Sequence, residues 1–284
     1  MIVILTLLVF SPLFLSLFLF LIPIKNERIL SILLQIFNVI NTILTIIFLC
    51  LYILTGFQNA EFTLWTFSQA GEYSFKLQFL VDRYSVSFQT LIALLSGIVF
   101  MFSRRYMHRE IGYRRFFVSL LLFRSGISLV ALANNIEMLY AGWEMVGLSS
   151  FLLIGFYQSR KGSGRHALRV FTIYRFCDVG LFIGAWLFHE LGGEFSFFSM
   201  SQSNTQIAHL TQESLAFTII GFLVLFAAIG KSAQYPFTFW VPRAMKGPTP
   251  SSAIFYGALS IHAGVFLLIR MYPLWHAIPA IQIA

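Results

Sequence analysis

Ionisable side chains stand inside otherwise apolar runs of this 284-residue sequence: Arg124, Glu144, Arg175, Asp178, Lys231 and His262. An ionisable group at mid-bilayer costs about 2.5–3.5 kcal/mol on insertion scales, so each requires a reason. A carboxylate, a lysine and a histidine suit one kind of chemistry, which is to hold a proton and pass it on. Glu144, in "LYAGWEMVGLSSFLLIGFY", has no basic residue one helical turn away. It must therefore find a positive partner on another helix or take up a proton. Lys231, in "GKSAQYPFTFW", supplies such a charge. A glutamate–lysine pair across two helices is a switch, because its protonation depends on its separation. The switch needs a hinge, and Pro236 breaks the helical backbone just beyond Lys231. Arg175 and Asp178, in "YRFCDVG", are three residues apart and can pair along one helix face, as a bundle lock or as a competitor for the switch. Arg124 lies near the mouth of its run and is expected to snorkel in a structural role.

The elements that position these groups are membrane spans. Hydrophobic residues make up 58% of the chain and charged residues 11%, with a mean hydropathy of +0.81. A polar surface for a water-soluble domain cannot be made from that composition. About eight runs are long and apolar enough to span, at 2–23, 29–55, 83–103, 116–134, 136–156, 167–189, 214–241 and 249–271. The absence of period-2 alternation within them favours an all-α polytopic helix bundle over a barrel. The first run has no basic residue before it and no small-residue cleavage site after it, so it is expected to be a retained helix. Loops 57–82, 134–137 and 191–213 hold little Lys or Arg. The basic residues of the +8 net charge cluster in the alternate loops, for instance at Arg104, Arg105, Arg109, Arg114 and Arg115. The positive-inside rule places those loops on the cytoplasmic or matrix side, in contact with lipid headgroups, and argues against a nucleic-acid partner.

Several function classes drop out. Cys50 and Cys177 lie in separate apolar runs without CxxC spacing and are expected to be inert core residues. The histidines form no HExxH, and GxGxxG, P-loop and GxSxG signatures are missing. No cofactor and no metal are expected on this chain. The buried charges all fall in runs four to eight, which divides the chain into an N-terminal three-helix region, 1–115, and a working part, 116–284.

The segments "GWEMVGLSSFLLIGFY", "YRFCDVG", "GKSAQYPFTFWVPRAMKGPTPSSA" and "HAGVFLLIR" resemble the proton-conducting, antiporter-like membrane subunits of respiratory complex I. The likeness is to the L-type subunit, called chain 5 in mitochondria, and to relatives in multisubunit sodium/proton antiporters, and it covers about 116–271. It implies a five-helix repeat with a broken seventh helix. It further implies that Glu144 is the family's helix-five glutamate, Lys231 its broken-helix lysine, and Arg175 and Asp178 its helix-six charged pair. Arg169 falls where the respiratory subunits often carry lysine. The expected partners are protons and the other membrane subunits of a complex in a bacterial or mitochondrial inner membrane.

Two departures bear on that expectation. Where the respiratory pattern has a histidine after "GPTP", this chain has Tyr256, and its histidine comes six residues later at His262. Six residues turn a helix by about 600°, which puts His262 roughly 120° around and about 9 Å along the axis. It either serves the relay from another angle or is a core histidine. The second departure is length. One repeat is present and its inverted second copy is not, so a complete path across the membrane is expected to need residues beyond these, from a longer chain or another polypeptide. The membrane subunit of the inorganic-carbon accumulation complex, which partners a soluble zinc protein similar to β-carbonic anhydrases, fits the same segments. The respiratory branch, this carbon-uptake branch and a plain polytopic scaffold remain open from sequence.

Overall fold

The computed structural model describes all residues except 23, 25, 71–72, 161, 193–195, 203–214, 255–258 and 278–284. The long helices are α1 (Ile2–Leu21), α2 (Glu27–Leu54), α3 (Arg83–Tyr106), α4 (Tyr113–Leu132), α5 (Ile136–Ile154) and α6 (Ser163–Gly192). A short α7 (Phe197–Gln202) and α8 (Leu215–Lys231) follow. After a 3-10 turn at Phe237–Trp240 come α9 (Val241–Ala244), α10 (Thr249–Ser252), α11 (Ser260–Arg270) and α12 (Tyr272–Ala277). Five helices, α1 to α4 and α6, are long and apolar enough to cross a membrane among the described residues.

The bundle is apolar outside and partly polar within, as a bilayer solvent demands. On α2, Ile29, Ile32, Ile36, Ile40, Ile43 and Ile47 are exposed, whereas Asn38, Asn41 and Thr45 are buried. Helix α4 is the central post and packs on α1, α3 and α5. Its crossing with α5 needs glycine. A Cβ on Gly142 would sit 2.7 Å from the Gly126 carbonyl oxygen and 2.8 Å from the Val130 nitrogen. The starts of α2, α3 and α5 are capped by side chains: Asn26 accepts from the Arg28 and Ile29 amides, Asp82 from Ser85, and Asn135 from Met138.

The segment expected to be a loop, 57–82, contains an antiparallel hairpin, β1 (Ala60–Ala70) with β2 (Tyr73–Val81). The signal lies in the sequence, because apolar Phe75, Leu77 and Phe79 alternate with Ser74, Lys76 and Gln78. The hairpin covers the α4–α5 connection. The Asn134 amide nitrogen donates to the Gln78 carbonyl at 3.0 Å, its side chain donates to Glu61 Oε2 at 2.9 Å, and Asn135 Nδ2 donates to the Lys76 carbonyl at 2.6 Å.

Two expectations are corrected. Arg124 does not snorkel: it is fully buried, donating to Asn38 Oδ1 at 2.9 Å and Asn41 Oδ1 at 3.0 Å. Two neutral amides one turn apart on α2 fit the fork of a guanidinium, so its two terminal nitrogens are hydrogen-bonded inside the bundle. Cys50 is exposed on α2 rather than in the core, while Cys177 is buried.

The candidate proton-relay site

The seventh run does not continue as one helix. Helix α8 ends at Lys231, Ala233 takes a left-handed φ of 55°, and the Tyr235–Pro236 bond is cis. Pro236 has no amide hydrogen and disfavours helix at Tyr235, so the chain turns and resumes as a 3-10 segment. The last carbonyls of α8 before Lys231 are all met. Ser232 N bonds Ala228 O at 2.9 Å and Gln234 N bonds Ile229 O at 3.1 Å, while the indole of fully buried Trp240 donates to Gly230 O at 3.1 Å. Trp240 in turn meets Tyr174 of α6 edge to face, with centroids 4.9 Å apart.

Lys231 ends the regular helix in the protein interior at 1% exposure. Its Nζ donates to the Trp143 carbonyl on α5 at 2.9 Å. It also lies 4.5 Å from the Trp143 ring centroid and 5.2 Å from that of Tyr174. Aromatic faces and a carbonyl are suitable neighbours for a buried ammonium. Gly147 faces the ammonium: a Cβ there would make ordinary contact with Lys231 Nζ at 3.6 Å. The α6–α8 crossing is closer: a Cβ on Gly230 would overlap the Cys177 side chain.

The four expected charges are brought together, with partners other than those expected. Arg175 forms its ion pair with Glu144 of α5, and not along α6 with Asp178. Asp178 is 2% exposed and accepts a hydrogen bond from the Trp143 indole. The Arg175 side chain is 44% exposed and that of Glu144 18%, so their pair lies at the rim of the bundle while Lys231 lies inside. The i, i+3 spacing allowed the intrahelical pairing, but α5 offers Asp178 an indole donor and gives Arg175 a carboxylate of its own.

His262 is exposed on α11. The face of α11 that meets α8 carries Gly264, whose Cβ would sit 2.7 Å from Ala228 O. The structure therefore does not bring His262 to Lys231. Tyr256 lies outside the described residues. Two ion pairs escaped sequence reasoning. Arg270, at the end of α11, pairs with Asp82 and also bonds Ser85 Oγ at the start of α3, and His189 of α6 pairs with Glu137 of α5. All four residues sit at the ends of apolar runs, where a charge is ordinary.

Residues 133–284 match the family model described as NADH:quinone oxidoreductase/Mrp antiporter, transmembrane region. Residues 65–117 match the model for the N-terminus of chain 5 of NADH-ubiquinone oxidoreductase, complex I. The chloroplastic NAD(P)H-quinone oxidoreductase subunit 5 of Carpenteria californica is 34% identical over 218 residues, covering 76% of this chain and 29% of that protein. The same subunit of Poa pratensis is 34% identical over 220 residues, covering 77% and 31%. This chain thus spans about three tenths of the length of these relatives. Among solved structures, the Mrp complex from Dietzia sp. DQ12-45-1b contains a chain that matches with a TM-score of 0.76 at 22% identity, over 99% of this chain and 28% of that one. A chain of the membrane-bound sulfane sulfur reductase, an archaeal respiratory membrane complex, matches with 0.76 at 16% identity, over 98% and 55%. At these identities the two structures show a shared fold.

Proposed function

The chain belongs to the NADH:quinone oxidoreductase/Mrp antiporter family of membrane proteins, and we propose that it is a proton-translocating subunit of a larger membrane complex of the chain 5 type. The observation that carries this reading is Lys231, a buried ammonium at a helix break, bonded to a backbone carbonyl and not to a carboxylate. Irregular backbone at membrane depth is tolerated where it is buried in protein or lines a cavity, and broken helices are where transporters hold ions.

The relay proceeds by exchange of partners. With Glu144 held by Arg175, Lys231 has Trp143 O as its acceptor, and the same Trp143 donates its indole N–H to Asp178. When Glu144 leaves Arg175 and turns toward Lys231, the ammonium is favoured; when it returns, the lysine can release its proton. Arg175 thus competes with Lys231 for Glu144, and Asp178 tunes the lysine through the indole they share. From Lys231 the proton passes toward a central polar axis, with His262 as a member only if a neighbouring segment covers its exposed face. The working part is 116–284, the region 1–115 supports it, and the basic loops face the cytoplasm or matrix.

A second branch, in which the same relay drives a soluble zinc hydratase in carbon dioxide uptake, differs by partner. Affinity purification of the full-length protein in mild detergent separates the branches. Quinone, flavin and iron–sulfur subunits are expected, and a lone zinc protein would move the chain to the carbon-uptake branch. Glu144→Gln should weaken coupled proton movement, and an unaltered rate would reduce Glu144 to packing.

A further inference from the structure

One face of α5 carries Glu137, Tyr140 and Glu144, spaced three and four residues apart. Residues so spaced stack one above another along a helix, about 4.5 Å and 6 Å apart along its axis. Helix α6 runs alongside and answers at each level. His189 pairs with Glu137 near the hairpin end, Phe182 packs on Tyr140 with ring centroids 5.7 Å apart, and Arg175 pairs with Glu144 at membrane depth. Tyr140 stands one turn before Glu144 on the same face of α5, within side-chain reach. The side chains of Glu137 and His189 are each 20% exposed, while Glu137 Oε2 and both His189 ring nitrogens are buried, so the pair belongs to the helix interface at its hairpin end. The N-terminal position of Glu137 on α5 accounts for a carboxylate there through the helix dipole. It does not account for a histidine partner on α6, or for the shared face with Glu144.

We infer that the α5–α6 seam is a proton route between the hairpin-side surface and the relay, with the Glu137–His189 pair as its mouth and Tyr140 as its bridge. The inference rests on the proton-relay reading above and names the access path to that same site. A proton from water is taken up by the mouth pair and leaves it toward Tyr140, directly or through a water spanning the turn. Tyr140 gives its hydroxyl proton to the Glu144 carboxylate as it receives one from the mouth side, and is unchanged at the end. Neutral Glu144 no longer holds Arg175 by charge, so the arrival of the proton is also what frees Glu144 from the competing partner. Reverse flow follows the same bonds.

The test uses the assembled complex in proteoliposomes, with proton movement read separately from dyes on the two sides. Glu137→Gln should lower proton exchange on the hairpin side at least tenfold, Glu137→Asp should restore it to within about twofold, and Tyr140→Phe should act like Glu137→Gln. His189→Gln repeats the test at the mouth should the Glu137 variant fail to assemble. Wild-type exchange in Glu137→Gln, His189→Gln and Tyr140→Phe, alongside an inactive Lys231→Met, would overturn the seam and leave the relay standing. Wild-type exchange in Lys231→Met as well would remove the relay reading itself.

Discussion

Lys231 and Asp178 share one residue, Trp143: its backbone carbonyl accepts from the Lys231 ammonium at 2.9 Å, and its indole donates to the Asp178 carboxylate. A cation and an anion on two different helices are thus spaced by a third. Neither collapses onto the other, because each already has a strong hydrogen bond to the same rigid side chain and backbone.

Trp143→Phe keeps the backbone acceptor and most of the ring but removes the donor to Asp178. A hydrogen bond to a charged group contributes about 1.5–3 kcal/mol. The variant should therefore lose thermal stability in detergent, and Asp178 should be drawn toward Lys231. Slower proton release than wild type is expected in single-turnover proton measurements, and a release rate equal to wild type would remove Asp178 from the tuning of Lys231.

Arg270 and Asp82 are separated by 188 positions, yet they close the bundle by joining the last residue of α11 to the cap of α3. Arg270→Ala leaves a buried carboxylate without its partner, an arrangement that costs about 3–5 kcal/mol. A large fall in the unfolding midpoint is expected. Arg270→Met combined with Asp82→Asn should recover much of it, since no unpaired charge then remains.

Gly142→Ala places a methyl group 2.7 Å from Gly126 O and 2.8 Å from Val130 N, with backbone on both sides. The α4–α5 crossing must open, at a cost of about 1–3 kcal/mol. Because Trp143 and Glu144 follow directly, proton movement should fall together with the unfolding midpoint. An unchanged midpoint would show that the crossing has slack.

Arg124 predicts a difference between two cations. Arg124→Lys keeps the charge but cannot bond Asn38 and Asn41 at once, so it should destabilise the protein, as should Arg124→Met, whereas Asn38→Ala alone should act more mildly. Thermal unfolding of the three variants checks the order, and full stability of Arg124→Lys would contradict a role for the fork.

Much of this was legible in the residues. Glu144 and Lys231 stand out because a charge in mid-run has no ordinary explanation, and Pro236 marks the break because proline removes a helix bond wherever it falls. The pairing was not legible: Arg175 can reach either carboxylate from its place on α6, and only the approach of α5 decides. Arg270, Glu137 and His189 lie near run ends, where a charge can reach water, so their burial or pairing depends on which distant helix packs there, whereas Arg124 lies mid-run and takes its amide partners from α2. The hairpin was legible in its alternation, but at 57–82 it sits between two spans, where a connection is the simpler expectation. Cys50 shows the limit of hydropathy, which places a residue in the bilayer without saying whether it faces protein or lipid.

The account depends most on Lys231 as a proton carrier. The most direct measurement is coupled proton movement by the assembled complex carrying Lys231→Met in sealed proteoliposomes, with subunit content checked in the same preparation. The relay predicts that proton movement is abolished while assembly is largely intact. A fully assembled variant that moves protons at the wild-type rate would contradict it.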